Sequence, residues 1–185
     1  FRSVRMTDGN DKLLVATKKG MSICFHETDV RPMGRTARGV KSITMSEGDE
    51  VAALAVLHEG GMVLTVSETG YGRLSPIDDY RVQSRGGKGL RNYHVEKYGD
   101  VAAVLVVDKE DDDIIIISSD GIIIRIYASE IRECARPSKG VKVMKVQGES
   151  KVVTIARAPH EEGTDTLEIQ EDENPDEGAG EEEEE

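Results

Sequence analysis

Three short basic clusters have the composition and spacing to hold a polyanion. Arg35-Thr36-Ala37-Arg38-Gly39, Arg85-Gly86-Gly87-Lys88-Gly89 and Arg136-Pro137-Ser138-Lys139-Gly140 each place two cations three residues apart ahead of a glycine, and the closing glycines fall 50 and then 51 residues apart. A guanidinium forks onto phosphate oxygens and an ammonium acts as a movable point charge, so such pairs neutralise a phosphate backbone without reading bases. In the middle cluster Gly86-Gly87 carries no side chains, so its amides could approach a phosphate closely. A single basic pair ahead of a strand reads equally as a solubilising loop. Threefold recurrence favours a periodic basic stripe.

Other reactive side chains do not assemble into a site. His26, His58, His94 and His160 fall at unlike places along the chain, with no Ser, Cys or acidic partner at a catalytic spacing. Asp111-Asp112-Asp113 alternate faces if extended and read as a solvated turn rather than a metal site. Tyr71, Tyr80, Tyr93, Tyr98 and Tyr127 read as packing residues. Cys24 and Cys134 stand 110 residues apart with no C-x-x-C or Cys/His cluster, as expected of reduced cytosolic thiols. No catalytic residue, metal ligand or cofactor site is expected on this chain.

The elements that would position the clusters repeat with them. Turn glycines Gly20, Gly70 and Gly121 are again 50 and 51 residues apart, as are Val51, Val101 and Val152. Each repeat reads as four strands. The first are residues 13–17, 62–66 and 114–118, ending in a turn glycine, and the second are 21–25, 71–75 and 122–126. The third, 39–45, 89–95 and 140–146, alternate apolar and polar residues, and the fourth are the Val/Ala-rich runs 51–56, 101–106 and 152–157. No sustained helical period occurs, so at most a short turn is expected near Ser129. Four strands per repeat of about 50 residues is the pattern of propeller-like blades. The chain has no Trp, which disfavours a WD-type propeller. The expected organisation is all-β: blades over residues 11–60, 61–111 and 112–160, with 1–10 as the end of a preceding blade. Three blades form an open arc. Phe1-Arg2-Ser3 resembles a cut inside a longer protein more than a leader.

Composition supports this division. Of 185 residues, 37% are hydrophobic, 32% charged and 4% aromatic. The net charge of −12 averages two unlike parts: 161–185 holds 14 acids and no Lys or Arg, leaving 22 acids against all 24 bases in the body. The body is therefore weakly basic. Residues 161–185 carry few apolar groups beyond Leu167 and Ile169 and are expected to be a disordered acidic tail, either solubilising or competing with a bound polyanion for the basic rim. No apolar run approaches the ~18 residues of a membrane span.

Gln83-Ser84-Arg85-Gly86-Gly87-Lys88-Gly89 resembles the seven-residue box, Q-R-R-G-G-K-G in its usual form, of the DNA gyrase A C-terminal domain, matching six positions. Gly70-Tyr71-Gly72, Asp79-Tyr80, the Val/Ala-rich strand and the acidic end are similar too. The resemblance implies a β-pinwheel, a disc whose neighbouring blades exchange strands, with double-stranded DNA wrapped around its basic perimeter. It implies Gln83, Arg85, Gly86, Gly87, Lys88 and Gly89 as box residues in DNA contact, alongside Arg35, Arg38, Arg136 and Lys139 from the repeat. It further implies a cytoplasmic, nucleoid-associated holoenzyme with the rest of gyrase A and the separate ATPase polypeptide, gyrase B, in which ATP and Mg2+ belong to the holoenzyme and supercoiling is negative. Ser84 departs from the box, and the box stands in the middle repeat rather than the first blade. The degenerate box of the related topoisomerase IV domain fits less well. A protein-interaction scaffold is the alternative of a different class.

Overall fold

Runs of β-branched and aliphatic residues bounded by glycine turns form strands wherever a partner edge lies alongside. The computed structural model describes residues 3–160. Among them are β1 (Lys12–Thr17), β2 (Met21–His26), β3 (Val51–Leu57), β4 (Met62–Ser67), β5 (Tyr71–Pro76), β6 (Leu90–Arg91), β7 (Val101–Val107), β8 (Asp112–Ser118), β9 (Ile123–Tyr127), β10 (Val141–Lys142) and β11 (Val152–Pro159). Short 3-10 turns at Glu27–Asp29, Ile77–Asp79 and Ala128–Glu130 follow the second strand of each repeat, and one four-residue helix, α1 (Val95–Tyr98), lies in the middle repeat. The acidic tail expected at 161–185 lies outside the described residues.

Three antiparallel sheets result, ordered β3-β1-β2-β6, β10-β5-β4-β7 and β11-β8-β9. β6 belongs to the second repeat but completes the first sheet, pairing Arg91 with Met21 and Leu90 with Ser22. β10 of the third repeat completes the second sheet in the same way, Lys142 with Tyr71 and Val141 with Gly72. These are pinwheel blades that exchange strands, in an open array.

The second and third repeats each hold the four strands expected and the first holds three, and the exchange decides which sheet the third strand joins. The third strand crosses to the preceding blade and pairs over only two residues. Residues 39–45 form no strand, because no sheet edge among the described residues lies ahead of β1 to receive them. Residues 3–10 likewise form no strand, and Val4 and Met6 are 61% and 89% exposed.

Alternation along each strand sends successive side chains to opposite neighbours. Leu14, Ala16, Cys24, Ala55 and Leu57 of the first blade pack with Val63, Tyr80, Tyr93, Val101 and Val104 of the second. Leu64, Val66, Leu74 and Val107 pack with Ile114, Ile116, Val152 and Ile155 of the third. The Val/Ala-rich strands are innermost, β3 against β7 and β7 against β11, so the exchanged strands and the basic clusters lie on the outer rim.

Candidate nucleic-acid interface

The middle cluster is a turn clamped between two stretches that both dock on the outer edge of the first blade. Before it, Val82 bridges Cys24 in parallel and the Gln83 amide donates to Cys24 O at 2.8 Å. After it, β6 pairs antiparallel with β2. Gly89, at φ +75°, permits the close approach: a Cβ there would lie 2.3 Å from the Ser22 carbonyl oxygen. Gly140 plays the same part in the next cluster, 2.1 Å from Gly72 O.

The two cations of a cluster point different ways. Arg85 is half-buried, and its guanidinium donates to Lys41 O and, at 3.3 Å, to Asp29 O, tying the turn to the first repeat. Arg136 repeats this one blade on: Nη1 donates to Arg91 O at 3.1 Å and the guanidinium lies 5.0 Å from the Tyr80 ring centre. Lys41 and Arg91 are themselves one period apart, so this is a recurring anchor. Lys88, by contrast, is exposed. The Gly86 amide donates to Ser42 O at 2.7 Å, and the Gly86 and Gly87 carbonyls accept from Thr44, so of the two glycines the first has its N–H directed into the protein. Arg35 and Arg38 are exposed.

Lys139 is held differently from Lys88. Its ammonium lies 3.8 Å from the centre of the Tyr71 ring and 5.4 Å from that of Tyr98, and Lys142 Nζ lies 4.2 Å from Tyr71. Ammonium groups over aromatic faces are attracted by the ring quadrupole. Hydrogen bonding from Lys139 and the charges of both lysines lower the Tyr71 phenol below its ordinary pKa. Tyr71 thus fixes two cations on the rim of the second blade.

Sequence reading overlooked two further registers. Lys41, Arg91 and Lys142 follow the closing glycines, and Arg31, Arg81 and Arg132 precede the clusters, at the same 50 and 51 spacing; all six are exposed. The signal that would have found them is the period itself, applied to every Lys and Arg rather than to the glycine-ended pairs. Arg91 makes an ion pair with Glu96 at 2.8 Å, exposed on both sides and readily exchanged for another anion.

The other candidates have structural partners. Tyr80 is buried and its hydroxyl donates to Asn92 Oδ1 at 2.8 Å, while burial raises its pKa and that of Tyr93. Asn92 also receives the buried guanidinium of Arg73, which donates on to Ser138 O at 3.1 Å, joining the second repeat to the third. Both cysteines are free, and burial raises the Cys24 thiol. The aspartate run is a correction: Asp112 and Asp113 are buried in β8, not solvated, because Asp113 pairs with Arg125 at 2.6 Å and with His160 Nδ1 at 3.0 Å. Carboxylates of Asp8, Asp11 and Glu27 also converge, but Glu27 Oε1 already accepts the amides of Gly9 and Asp11, which shapes the loop without an ion.

The family described as DNA gyrase C-terminal domain, beta-propeller, matches residues 11–58, 61–108 and 112–159. The DNA gyrase A protein of Staphylococcus aureus strain NCTC 8325 / PS 47 is 37% identical over 169 residues, 90% of this chain and 19% of that protein. Its counterpart in strain MRSA252 is 38% identical over 158 residues, 84% of this chain and 18% of that protein. The chain thus spans less than a fifth of the length of these curated relatives. Among solved structures, a DNA gyrase A C-terminal domain superposes with a TM-score of 0.75 at 27% identity, covering 82% of this chain and 52% of that one. The C-terminal domain of a DNA topoisomerase IV reaches 0.79 at 21% identity over 85% of this chain and 49% of its own, a likeness of fold.

Proposed function

The chain belongs to the DNA gyrase C-terminal domain beta-propeller family, and on that premise we propose that it binds double-stranded DNA along its outer rim and bends it, without base readout. The observation that carries the reading is the recurrence of exposed cations in register with the exchanged strands: Arg31, Arg81 and Arg132; Arg38 and Lys88; Lys41, Arg91 and Lys142. Cations repeated at one place on successive blades follow a curved path, as a bent phosphate backbone does. In this reading the phosphate contacts come from Arg38, Lys88, Lys139 and these added registers, and Arg35 belongs with them. Gln83, Arg85, Gly86, Gly89 and Arg136 shape the turns that present them.

The chain then serves as the DNA-wrapping part of gyrase A, in a bacterial type II topoisomerase completed by gyrase B, whose ATP-driven strand passage is located elsewhere in the holoenzyme. The 14 acids of 161–185 compete with DNA for the rim. The relatives' name and the glycine-containing box favour gyrase over topoisomerase IV.

Affinity of this kind comes chiefly from counterion release, with log K falling by about 0.9 per phosphate for each unit of log salt. Titrating duplex binding across salt with the 185-residue chain is therefore the test. Lys88→Ala and Arg81→Ala should each shallow the slope by about 0.9 with equal effect on unrelated DNA sequences. A slope unchanged by both would remove the rim from the binding surface.

A further inference from the structure

The second repeat buries polar groups at places where the other two bury mostly apolar ones. Thr65, Arg73, Asn92 and Tyr93 are all fully buried. One period earlier the same places hold Val15, Ile23, Ser42 and Ile43, and one period later Ile116, Ile124, Val143 and Met144. The four polar residues are tied together. Arg73 Nη2 donates to the backbone oxygen of Asn92 and, at 3.1 Å, to its Oδ1, while Asn92 Nδ2 donates to Thr65 Oγ1 at 3.2 Å. The Arg73 guanidinium carbon lies 5.8 Å from the centre of the Tyr93 ring. Burying a cation against neutral acceptors, where the neighbouring repeats bury isoleucine, is costly. Departures of this kind from an otherwise repeated apolar core concentrate at functional sites.

The network reaches the rim through two carbonyls. Arg73 Nε donates to Ser138 O at 3.1 Å, and the Tyr93 hydroxyl donates to Lys139 O at 3.0 Å. Consecutive peptide units of the third basic cluster are thus held from beneath by the second repeat. From this pinned backbone Lys139 places its ammonium 3.8 Å from the centre of the Tyr71 ring. Lys142 comes to the same ring at 4.2 Å, its ammonium donating to Thr69 O at 3.0 Å. The middle cluster is built otherwise. Ile43 has no hydroxyl to offer Lys88 O, Ile23 has no guanidinium for Gly87 O, and Met21 stands in the place of Tyr71. The Thr44 amide donates to Gly87 O at 2.8 Å instead, and Lys88 stays exposed.

We propose that Arg73 and Tyr93 are positioning residues that set Lys139, together with Lys142, as a prearranged pair of cations for one stretch of phosphate backbone. The junction of the second and third blades is then the fixed point of the rim. The inference rests on the DNA reading above. A long side chain already ordered loses less freedom when it meets a phosphate. Lys88 and Arg38 must be ordered by the DNA, whereas Lys139 is ordered in advance. The Tyr71 ring attracts both ammonium groups without neutralising them, so each still has a counterion to release.

Tyr93→Phe in the full chain is the informative variant, because it removes one hydroxyl and keeps the ring beside Tyr98, 6.0 Å away centre to centre. NMR titration of the Tyr71 phenol reports where Lys139 lies, since hydrogen bonding from Lys139 and the charges of both lysines hold that phenol below its ordinary pKa. Tyr93→Phe should raise the Tyr71 pKa toward that of Lys139→Met. It should raise it no further in the Lys139→Met background, as expected of groups acting through one contact. Duplex affinity should fall about two- to tenfold with an unchanged salt slope, because the ammonium still meets its phosphate but is ordered only on binding. Arg73→Met should move both readings in the same direction, and Tyr93→Phe decides alone if that buried change unfolds the chain. A Tyr71 pKa unmoved by Tyr93→Phe, or one that moves while duplex affinity does not, overturns the inference. A parent chain without salt-dependent duplex binding overturns the DNA reading and this inference with it, a failure distinct from normal parent binding with an unmoved Tyr71.

Discussion

Arg85 and Lys88 stand three residues apart and carry the same charge, yet one faces two backbone carbonyls and the other faces solvent. Hydrogen bonds from charged donors contribute about 1.5–3 kcal/mol each when shielded, and less where solvent reaches the acceptors, as it does at Asp29 and Lys41. Arg85→Ala should therefore lower stability by about 1–2 kcal/mol in denaturant unfolding with little effect on the salt slope of DNA binding. Arg85→Lys should not restore it, because one ammonium cannot fork to both Asp29 O and Lys41 O. If instead Arg85→Ala left the unfolding midpoint unmoved and shallowed the slope, the guanidinium would belong to the phosphate surface. The closing glycines permit a comparison within one molecule. Gly140 and Gly39 have nearly equal φ, +78° and +79°, but a Cβ at Gly140 would lie 2.1 Å from Gly72 O while nothing lies within 4 Å at Gly39. Gly39→Ala thus carries only the left-handed backbone penalty, about 1–2 kcal/mol. Gly140→Ala must in addition displace β10, and its unfolding midpoint should fall well below that of Gly39→Ala.

The elements show why a face matters more than a residue type. Leu54 and Val104 are equivalent positions on the fourth strands of the first and second blades. Val104 is 2% exposed between blades, whereas Leu54 lines an apolar groove of about 410 Å³ with Leu13, Val15 and Phe25. An unpaired carboxylate in a closed interface costs about 3–5 kcal/mol. Val104→Asp should approach that, and Leu54→Asp, which water can reach, should stay near ~1 kcal/mol; equal losses in chemical denaturation would mean the groove is covered. The same contrast explains what the sequence made legible. Glycine spacing and the Val/Ala runs located the repeats and the first, second and fourth strands, because those pair within their own repeat. The third strands, residues 89–95 and 140–146, alternate convincingly but pair only at Leu90–Arg91 and Val141–Lys142, and their partner edge belongs to another repeat, which periodicity does not reveal. At the site, the recurrence of basic pairs was legible. The inward turn of Arg85 and Arg136 was not, since it depends on carbonyls 44 to 56 positions away for the first and 45 for the second.

Across the whole molecule the corresponding faces of the described blades differ. Cys24 and Leu74 present apolar side chains to the next blade, but the residue one period on is Arg125, ion-paired with Asp113 beside His160. Among the described residues the first blade instead shows its apolar groove. Three blades offering cations on one curved rim can engage a duplex fully only if the duplex bends, and bending a 20–30 bp site by 40–90° costs about 1–6 kcal/mol. A single-strand nick opposite the middle blade relieves much of that cost without removing a phosphate contact. The nicked duplex should therefore bind at least about fivefold more tightly than the intact one, the factor equivalent to about 1 kcal/mol, with the same dependence on salt because the same counterions are released. Equal affinities with a steep salt slope would separate the two halves of the functional reading: the rim would hold DNA, but straight, and wrapping would have to come from parts of the protein other than these three blades.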